Sequence, residues 1–384
     1  MSQRFVLAGV VVVVLLVLGV IGYMMVRPTP TPTPTPTPVE TTPTAPQTPA
    51  PQTPPPPQVI RITAGPIGSA TYVMAAYLAD LWNRELGGIK FFVQPYTSLA
   101  DGIKALTLGD AELAYIADVH FMDLYTWGRE FNVFKGLEGL AKKLPVPSIW
   151  IVASETFFLI KAEDVDKYKC WRDLEGKNVF LTPVGFANHM NALRMLRAVG
   201  VNVNHVELSL TAAADALEKK TIVATVLYIF GGGLPPWGKE LDLKMKLAPL
   251  NPCPDEVEKL KAAGLVLKEI DSSKFFDKNK DMGKIIAIPF FATWSAAIDI
   301  PEDTIYEMLL VLEKNAKALA GASAYFGVAA EDFVGLQLTG VKWSIAYGIP
   351  VHPGLAKYLK EKGVWNPEWD KYIARELVPK LKAN

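Results

Sequence analysis

Four short stretches carry residue types that could bind a small solute. They are Gly65-Pro66-Ile67-Gly68-Ser69-Ala70-Thr71, Ala117-Asp118, the run from Thr182 to Asn188, and the run from Gly231 to Trp237. Two of them run into helical patterns through Gly, Ser, Thr or Asn. At such a helix start the free amides and the positive dipole end favour an anion. Ser69 and Thr71 suit a helix cap in any protein, and the same hydroxyls suit a ligand oxygen. Asn188 and Asn191 stand one turn apart at the second helix start, with Asn188 placed to cap the helix and to touch a ligand. The candidate ligand-binding set is Gly68, Ser69, Thr71, Tyr72, Tyr96, Asp118, Gly185, Phe186, Asn188, Asn191, Tyr228 and Trp237. Tyr96, Phe186, Tyr228 and Trp237 belong to it as walls of a mainly apolar cleft, although aromatics are more often core. Asp118 would repel a carboxylate but could receive an amino group, or it could cap the segment from Val119 to Tyr125. No arginine stands at these strand ends: Arg61 is inside a strand and Arg84 is on a helix face. The expectation is an anion held by amides and hydroxyls, without a guanidinium clamp.

Nothing in the chain supports catalysis. His120, His189, His205 and His352 lack zinc-ligand spacing, and His352 between Pro350 and Pro353 reads as structural. There is no serine elbow, phosphate loop or Cys–His pairing. No enzyme activity, metal or cofactor is expected. Basic and acidic residues balance at 39 each, without a basic stripe, which argues against nucleic acid. Cys170 and Cys253 could pair in an oxidising exterior or remain as two buried thiols.

The elements that position these residues read as an α/β body. A strand over Val59–Ala64 precedes a helix with Val73, Tyr77 and Leu81 at four-residue spacing. The strand Lys90–Pro95, the helix Leu99–Leu108 and a strand ending at Ile116 follow. This β-α-β-α-β rhythm implies a parallel sheet with right-handed crossovers. Trp150–Val152 and Thr156–Ile160 read as extended. A second unit then comprises the strand Asn178–Thr182, the helix Asn188–Val199, a strand at Val206–Leu208, the helix Ala212–Lys219 and the strand Ile222–Phe230. Ile285–Asp299 reads as a long extended return and Thr304–Ala320 as an amphipathic helix. Extended segments near Ser154 and Phe290 suggest a hinge between two lobes. Lobe 1 is assigned to 59–154 and 291–384, and lobe 2 to 155–290. In open parallel sheets ligands sit beyond the carboxyl ends of strands, which is where the four stretches fall.

Ahead of the body, Phe5–Val26 is an uncharged apolar run long enough, at roughly 33 Å as a helix, to cross a bilayer. A signal anchor over 1–27 is expected, with the body extracytoplasmic and the chain single-pass in the cell membrane. Tyr23-Met24-Met25-Val26-Arg27 is a poor cleavage site, and no cysteine follows the run for lipid attachment. Residues 28–58 hold 14 of the chain's 30 prolines, alternating with threonine. Such a linker favours polyproline II and disorder, whether glycosylated or bare.

Several segments, in order, resemble one family. They are Ile62-Thr63-Ala64-Gly65 through Gly68-Ser69-Ala70-Thr71-Tyr72, then Val93-Gln94-Pro95, Gly109–Ala114, Asp118-Val119, Asp173–Val179, Ala212–Leu217, and the closing Ile349-Pro350-Val351-His352-Pro353-Gly354. Together they resemble the TAXI-type solute receptors of TRAP (tripartite ATP-independent periplasmic) transporters. The resemblance implies a two-lobed type II periplasmic-binding-protein fold with a hinge. It further implies capture of a small organic anion, a dicarboxylate or an amino acid such as glutamate or 2-oxoglutarate, for delivery to a TRAP permease. The chain departs from the family pattern at Tyr96-Thr97-Ser98-Leu99, at Gly185-Phe186-Ala187-Asn188 and at Gly231–Trp237, where several changes add an aromatic. A membrane-anchored sensor that passes ligand occupancy to a signalling partner is the alternative output for the same binding site.

Overall fold

The computed structural model describes residues 58–379. The expected anchor over 1–27 and the linker over 28–58, apart from Gln58, lie outside the described residues. Among the described residues no helix is long and apolar enough to cross a membrane.

The first part of the chain runs β1 (Gln58–Ala64), α1 (Ala70–Glu85), β2 (Ile89–Pro95), α2 (Leu99–Leu108), β3 (Leu113–Ala117) and α3 (Asp118–Leu124). β1 lies between β2 and β3 and is parallel to both, as the crossover pattern requires. α1 turns Met74, Leu78, Leu81 and Trp82 into the core. That face is rotated from the expected Val73–Tyr77–Leu81 stripe, and Tyr77 is 36% exposed. Met74, Leu78 and Trp82 share the same four-residue spacing and bury more apolar surface, so their face wins.

β4 (Val146–Lys161) follows. The two extended segments expected there are one strand of 16 residues, buried along all but its last position. The second part runs β5 (Asn178–Phe180), α4 (Ala187–Val199), β6 (Asn204–His205), α5 (Ala213–Glu218), β7 (Ala224–Phe230), α6 (Pro236–Lys244), β8 (Leu247–Leu250), α7 (Pro254–Ala262), β9 (Lys268–Asp271) and β10 (Lys284–Ala296). The strand expected over Val206–Leu208 forms earlier, at Asn204–His205. The Val206 amide still donates to the Val179 carbonyl at 3.0 Å. Glu207 then leaves the ladder, accepting from His205 Nε2 at 2.7 Å and from the Val184 amide at 3.3 Å. Among the described residues four α-helices follow, α8 (Glu302–Ala322), α9 (Gly327–Glu331), α10 (Phe333–Ala346) and α11 (Pro353–Glu361). They pack on the first part and on β4: Trp82 Nε1 donates to the Met308 carbonyl at 3.3 Å, and the Trp150 amide donates to Gln337 Oε1 at 2.8 Å.

The main path of the sheet runs in the order β2-β1-β3-β10-β4-β7-β5-β6. β4 and β10 lie antiparallel, from Ile288 opposite Thr156 to Ala296 opposite Val146. β10 pairs with β3 through residues 292–296, while β4 pairs with β7 through residues 154–160. Around Ser154 and Phe290 both long strands therefore pass from one half of the sheet to the other. The result is a two-lobed α/β fold joined by two continuous strands. Cys170 and Cys253 form a disulfide, with Cα atoms 5.2 Å apart, between the turn before β5 and the start of α7.

Candidate functional site

In the first lobe β1 ends in the loop Gly65–Ser69, which curls back on itself before α1. Ser69 is the N-cap, its Oγ accepting from the Tyr72 amide at 3.2 Å. Thr71 Oγ1 accepts from the Gly65 amide at 3.1 Å and lies 3.1 Å from Ser69 Oγ. A Cβ on Gly65 would stand 2.7 Å from Thr71 Oγ1 and 2.8 Å from Ser69 Oγ, so only glycine permits this turn. The cap satisfies the Tyr72 amide. The Ala70 and Thr71 amides have no intrahelical acceptor, because they belong to the first turn.

The second lobe presents α4 differently. Its N-cap is Phe186, not Asn188 as expected, and no side chain caps it. Phe186 takes that place, two residues earlier, directly after Gly185 turns the chain at φ +87°. The first-turn amides of Ala187, Asn188 and His189 are thus without a side-chain acceptor, and all three residues are buried. A buried, uncapped helix start leaves donors that call for a partner.

The two helix starts face one small enclosed pocket between the lobes. Ser69, Ala70 and Thr71 line it from one side, Phe186, Ala187 and Asn188 from the other, and Tyr115 and Tyr228 reach it from β3 and β7. Its volume is about 10 Å³, room for about one water. Tyr115 is 1% exposed and its hydroxyl has no hydrogen-bond partner. The Tyr228 hydroxyl accepts from Trp237 Nε1 at 3.4 Å. Asn188 is oriented by a chain of bonds to the crossing strands. Asn191 Nδ2 donates to the Ile288 carbonyl and to Thr156 Oγ1, each at 3.0 Å, and Thr156 Oγ1 donates to Asn188 Oδ1 at 2.8 Å. With its oxygen engaged, Asn188 offers its amide nitrogen. The pocket is thus built of neutral donors, with Phe186, Phe230 and Phe290 as apolar walls.

Outside this pocket lies an open cleft of about 990 Å³ between the same lobes. Ser69 lines both, and the consecutive residues Gly185 and Phe186 line the outer cleft and the inner pocket respectively. The lobes touch at several points: the Gly185 carbonyl accepts from the Ala100 amide at 3.3 Å and from His120 Nε2 at 3.0 Å, Arg197 Nη1 donates to the Glu130 carbonyl at 3.0 Å, and the Tyr325 hydroxyl donates to the Leu234 carbonyl at 3.2 Å. His120 Nδ1 accepts from the Ala117 amide at 3.1 Å, which fixes the proton on Nε2. Burial lowers the His120 pKa to about 4, so the ring is neutral at neutral pH.

Of the residues singled out in the sequence, Ser69, Thr71, Phe186, Asn188 and Tyr228 come together at the inner pocket, while Gly68, Gly185 and Trp237 line the outer cleft. Four line neither. Tyr72 contributes its amide to the Ser69 cap. Tyr96 packs beside Gly102 of α2. Asn191 is spent on Thr156, Ile288 and Arg194. Asp118 is buried, its Oδ1 accepting from the Val119 amide at 2.6 Å. Burial raises its pKa to about 6, against the opposing charge of Arg194. Arg194, one turn beyond Asn191, brings a guanidinium near the lobe boundary that the strand ends did not suggest. Its Nη2 donates to Asn191 Oδ1 at 2.8 Å, and it lines neither cavity. Sequence reasoning missed Tyr115, Ala100 and His120. For Tyr115 the one available signal was a polar-tipped aromatic inside the fully buried strand Leu113–Ala117. Among the described residues one group of metal-ligating side chains converges, Cys170, Cys253 and Glu256, and its two sulfurs are joined to each other.

A family model described as "NMT1-like family" matches residues 62–363. Among solved structures, the chain is similar to the periplasmic aliphatic sulphonate binding protein SsuA from Escherichia coli (16% identity, 79% of each chain, TM-score 0.42). It is also similar to the alkanesulfonate-binding protein SsuA from Xanthomonas axonopodis pv. citri, bound to MOPS (15% identity, 79% of this chain and 84% of that one, TM-score 0.43). A TctC solute binding protein from Polaromonas is a third (16% identity, 67% of this chain and 83% of that one, TM-score 0.40).

Proposed function

The chain belongs to the NMT1-like family, and from that premise we propose that it is a solute receptor that captures a small organic anion between its lobes. One observation carries the reading. Two helix starts, one from each lobe, line a buried pocket together with Tyr115, whose hydroxyl is buried without a partner. An anion accepting from both helix starts would draw the lobes together, with β4 and β10 flexing near Ser154 and Phe290. The role is capture without turnover. The lobe boundaries are proposed as 59–154 with 291–384, and 155–290.

The resemblance read from the sequence supports a TRAP-type permease as the recipient, and carboxylates, including dicarboxylates and amino acids, as the ligand class to test first. The apolar run Phe5–Val26 and the proline-rich linker support a single-pass anchor with the body outside the membrane. On that arrangement the tether holds the receptor near its permease and raises its effective concentration there. Mass spectrometry of the ligand carried through purification of the full-length chain, followed by calorimetry with that compound, tests the proposal. An organic anion that binds wild type and loses affinity in Asn188→Asp, which sets a carboxylate among the donors, is the expected result. A cationic or neutral ligand, or an anion indifferent to Asn188→Asp, would overturn it.

A further inference from the structure

The inner pocket and the outer cleft differ sharply in size and chemistry, and their junction constrains what can lie across both. The inner pocket, at about 10 Å³, has room for about one oxygen of a headgroup. The remainder of any ligand must pass Ser69 and Gly185 into the outer cleft of about 990 Å³, a size at which pockets bury most of a small organic molecule. That cleft has an apolar lining on both lobes. Ile67, 75% exposed, and Val184, 51% exposed, line it from opposite lobes, with Leu208, Leu210 and Trp237 on the second. Large aliphatic side chains left this exposed inside a cleft mark a surface that an apolar partner covers.

The charges in the outer cleft argue against a second carboxylate, and its apolar lining disfavours burying a charge of either sign. Asp101, Glu207 and Glu240 line it against a single cation, Lys104, whose Nζ stands 3.9 Å from Asp101 Oδ1. A second carboxylate carried out of the inner pocket would meet three acids and one lysine already facing an acid. Its burial would be unfavourable. An α-amino group beside the headgroup fares no better, because no carboxylate lines the inner pocket and Asp118 lies outside it.

We propose that the ligand is an amphipathic monoanion, its single anionic headgroup at the two helix starts and an uncharged apolar body of several carbons in the outer cleft. This inference rests on the anion-receptor reading above and narrows its ligand class away from dicarboxylates and amino acids.

The test is calorimetry on the full-length chain with straight-chain monocarboxylates from acetate to octanoate, beside glutarate, glutamate and 6-aminohexanoate. Affinity is expected to rise about fourfold per added methylene over the middle of the series, with hexanoate binding more tightly than any of the three comparison compounds. In the double variant Ile67→Asp/Val184→Asp, at two exposed positions, the gain per methylene is expected to collapse. A flat series in wild type, or tighter binding of glutarate, glutamate or 6-aminohexanoate than of hexanoate, overturns the amphipathic ligand while leaving an anion receptor standing. Failure of every one of these anions to bind overturns both readings.

Discussion

Tyr115→Phe separates a ligand-binding hydroxyl from a structural one. The Tyr115 ring sits in the core against Trp294 at 5.6 Å and Phe230 at 6.0 Å between centroids, contacts that phenylalanine keeps. Its hydroxyl is buried and has no partner. An unmet buried donor costs about 1–3 kcal/mol, so removing it is expected to stabilise the ligand-free chain by about 1 kcal/mol. For a body of this size that is a rise of about 2 °C in melting temperature. If the same hydroxyl donates to a bound anion, the variant loses a hydrogen bond to a charged group worth about 1.5–3 kcal/mol. Affinity should then fall by roughly 10- to 150-fold. Differential scanning calorimetry without ligand and titration calorimetry with it give both numbers on one preparation. Opposite signs, more stable and weaker binding, are the expected signature. A variant that melts lower would mean the hydroxyl has a structural partner. One that binds as tightly as wild type would remove Tyr115 from the site.

Other perturbations reach the lobe contact, the crosslink and the buried imidazoles. Gly185→Ala sets a Cβ 2.9 Å from the Ala100 Cβ and 3.0 Å from Ser98 Oγ, at φ +87°; the clash and the lost lobe contact should weaken binding at least tenfold, read by titration, with a larger radius of gyration by X-ray scattering. Reducing the Cys170–Cys253 disulfide, which closes a separation of 83 residues, should cost about 4–5 kcal/mol, and equal melting temperatures with and without reductant would count against it. Burial lowers the pKa values of His120, His189 and His352 to about 4. Between pH 6.5 and 4 the unfolded chain therefore binds more protons at these sites, and stability falls as pH falls. Asp118, raised to about 6, works in the opposite direction between pH 6 and 3.8. The net of about two protons predicts a loss on the order of 2–3 kcal/mol per pH unit near pH 5, measured by denaturant titration.

Local signals explain which parts of this architecture could be read in advance. α2 forms over Leu99–Leu108 as its pattern predicts, because Ser98 caps one end and Gly109, left-handed at φ +91°, ends the other. Both helix starts at the inner pocket were legible for the same reason: glycine, hydroxyl and amide residues follow apolar strands. The stretch from α6 to β9 was not. Its elements are short, and α6 and α7 each carry few buried side chains, so no strong period marks them. β4 looked like two segments because Ser154 and Glu155 interrupt its apolar run. Both are buried all the same, with Ser154 Oγ donating to the Ile229 carbonyl and Glu155 accepting from Lys268. Such pairings are tertiary, and no local pattern announces them. Tyr115 and His120 were hidden by the same logic, since each reads as ordinary core until the second lobe is placed opposite.

The two helix starts are unequal, and that inequality suggests how binding and lobe movement are coupled. α1 carries its own cap in Ser69, so the first lobe holds its half of the site in shape without help. α4 has none, and its first-turn amides belong to residues that are buried where the lobes meet. Bringing the lobes together takes those amides out of water. Without an acceptor, each would cost about 1–3 kcal/mol. An anion at the pocket supplies the acceptor and in effect caps α4. The His120 and Ala100 bonds to Gly185 oppose the cost, since they form only when the lobes meet. At about 0.5–1.5 kcal/mol each they do not by themselves offset two or three orphaned donors, and the bonds from Arg197 to the Glu130 carbonyl and from Tyr325 to the Leu234 carbonyl add to them. An anion that caps α4 would therefore shift the lobes further toward the closed arrangement, and the uncapped helix is the device that couples closure to it. Giving α4 a cap of its own, as in Phe186→Ser, should therefore make closure less dependent on ligand. Scattering of the ligand-free variant should show a smaller radius of gyration than wild type, and an unchanged radius would remove α4 from the coupling.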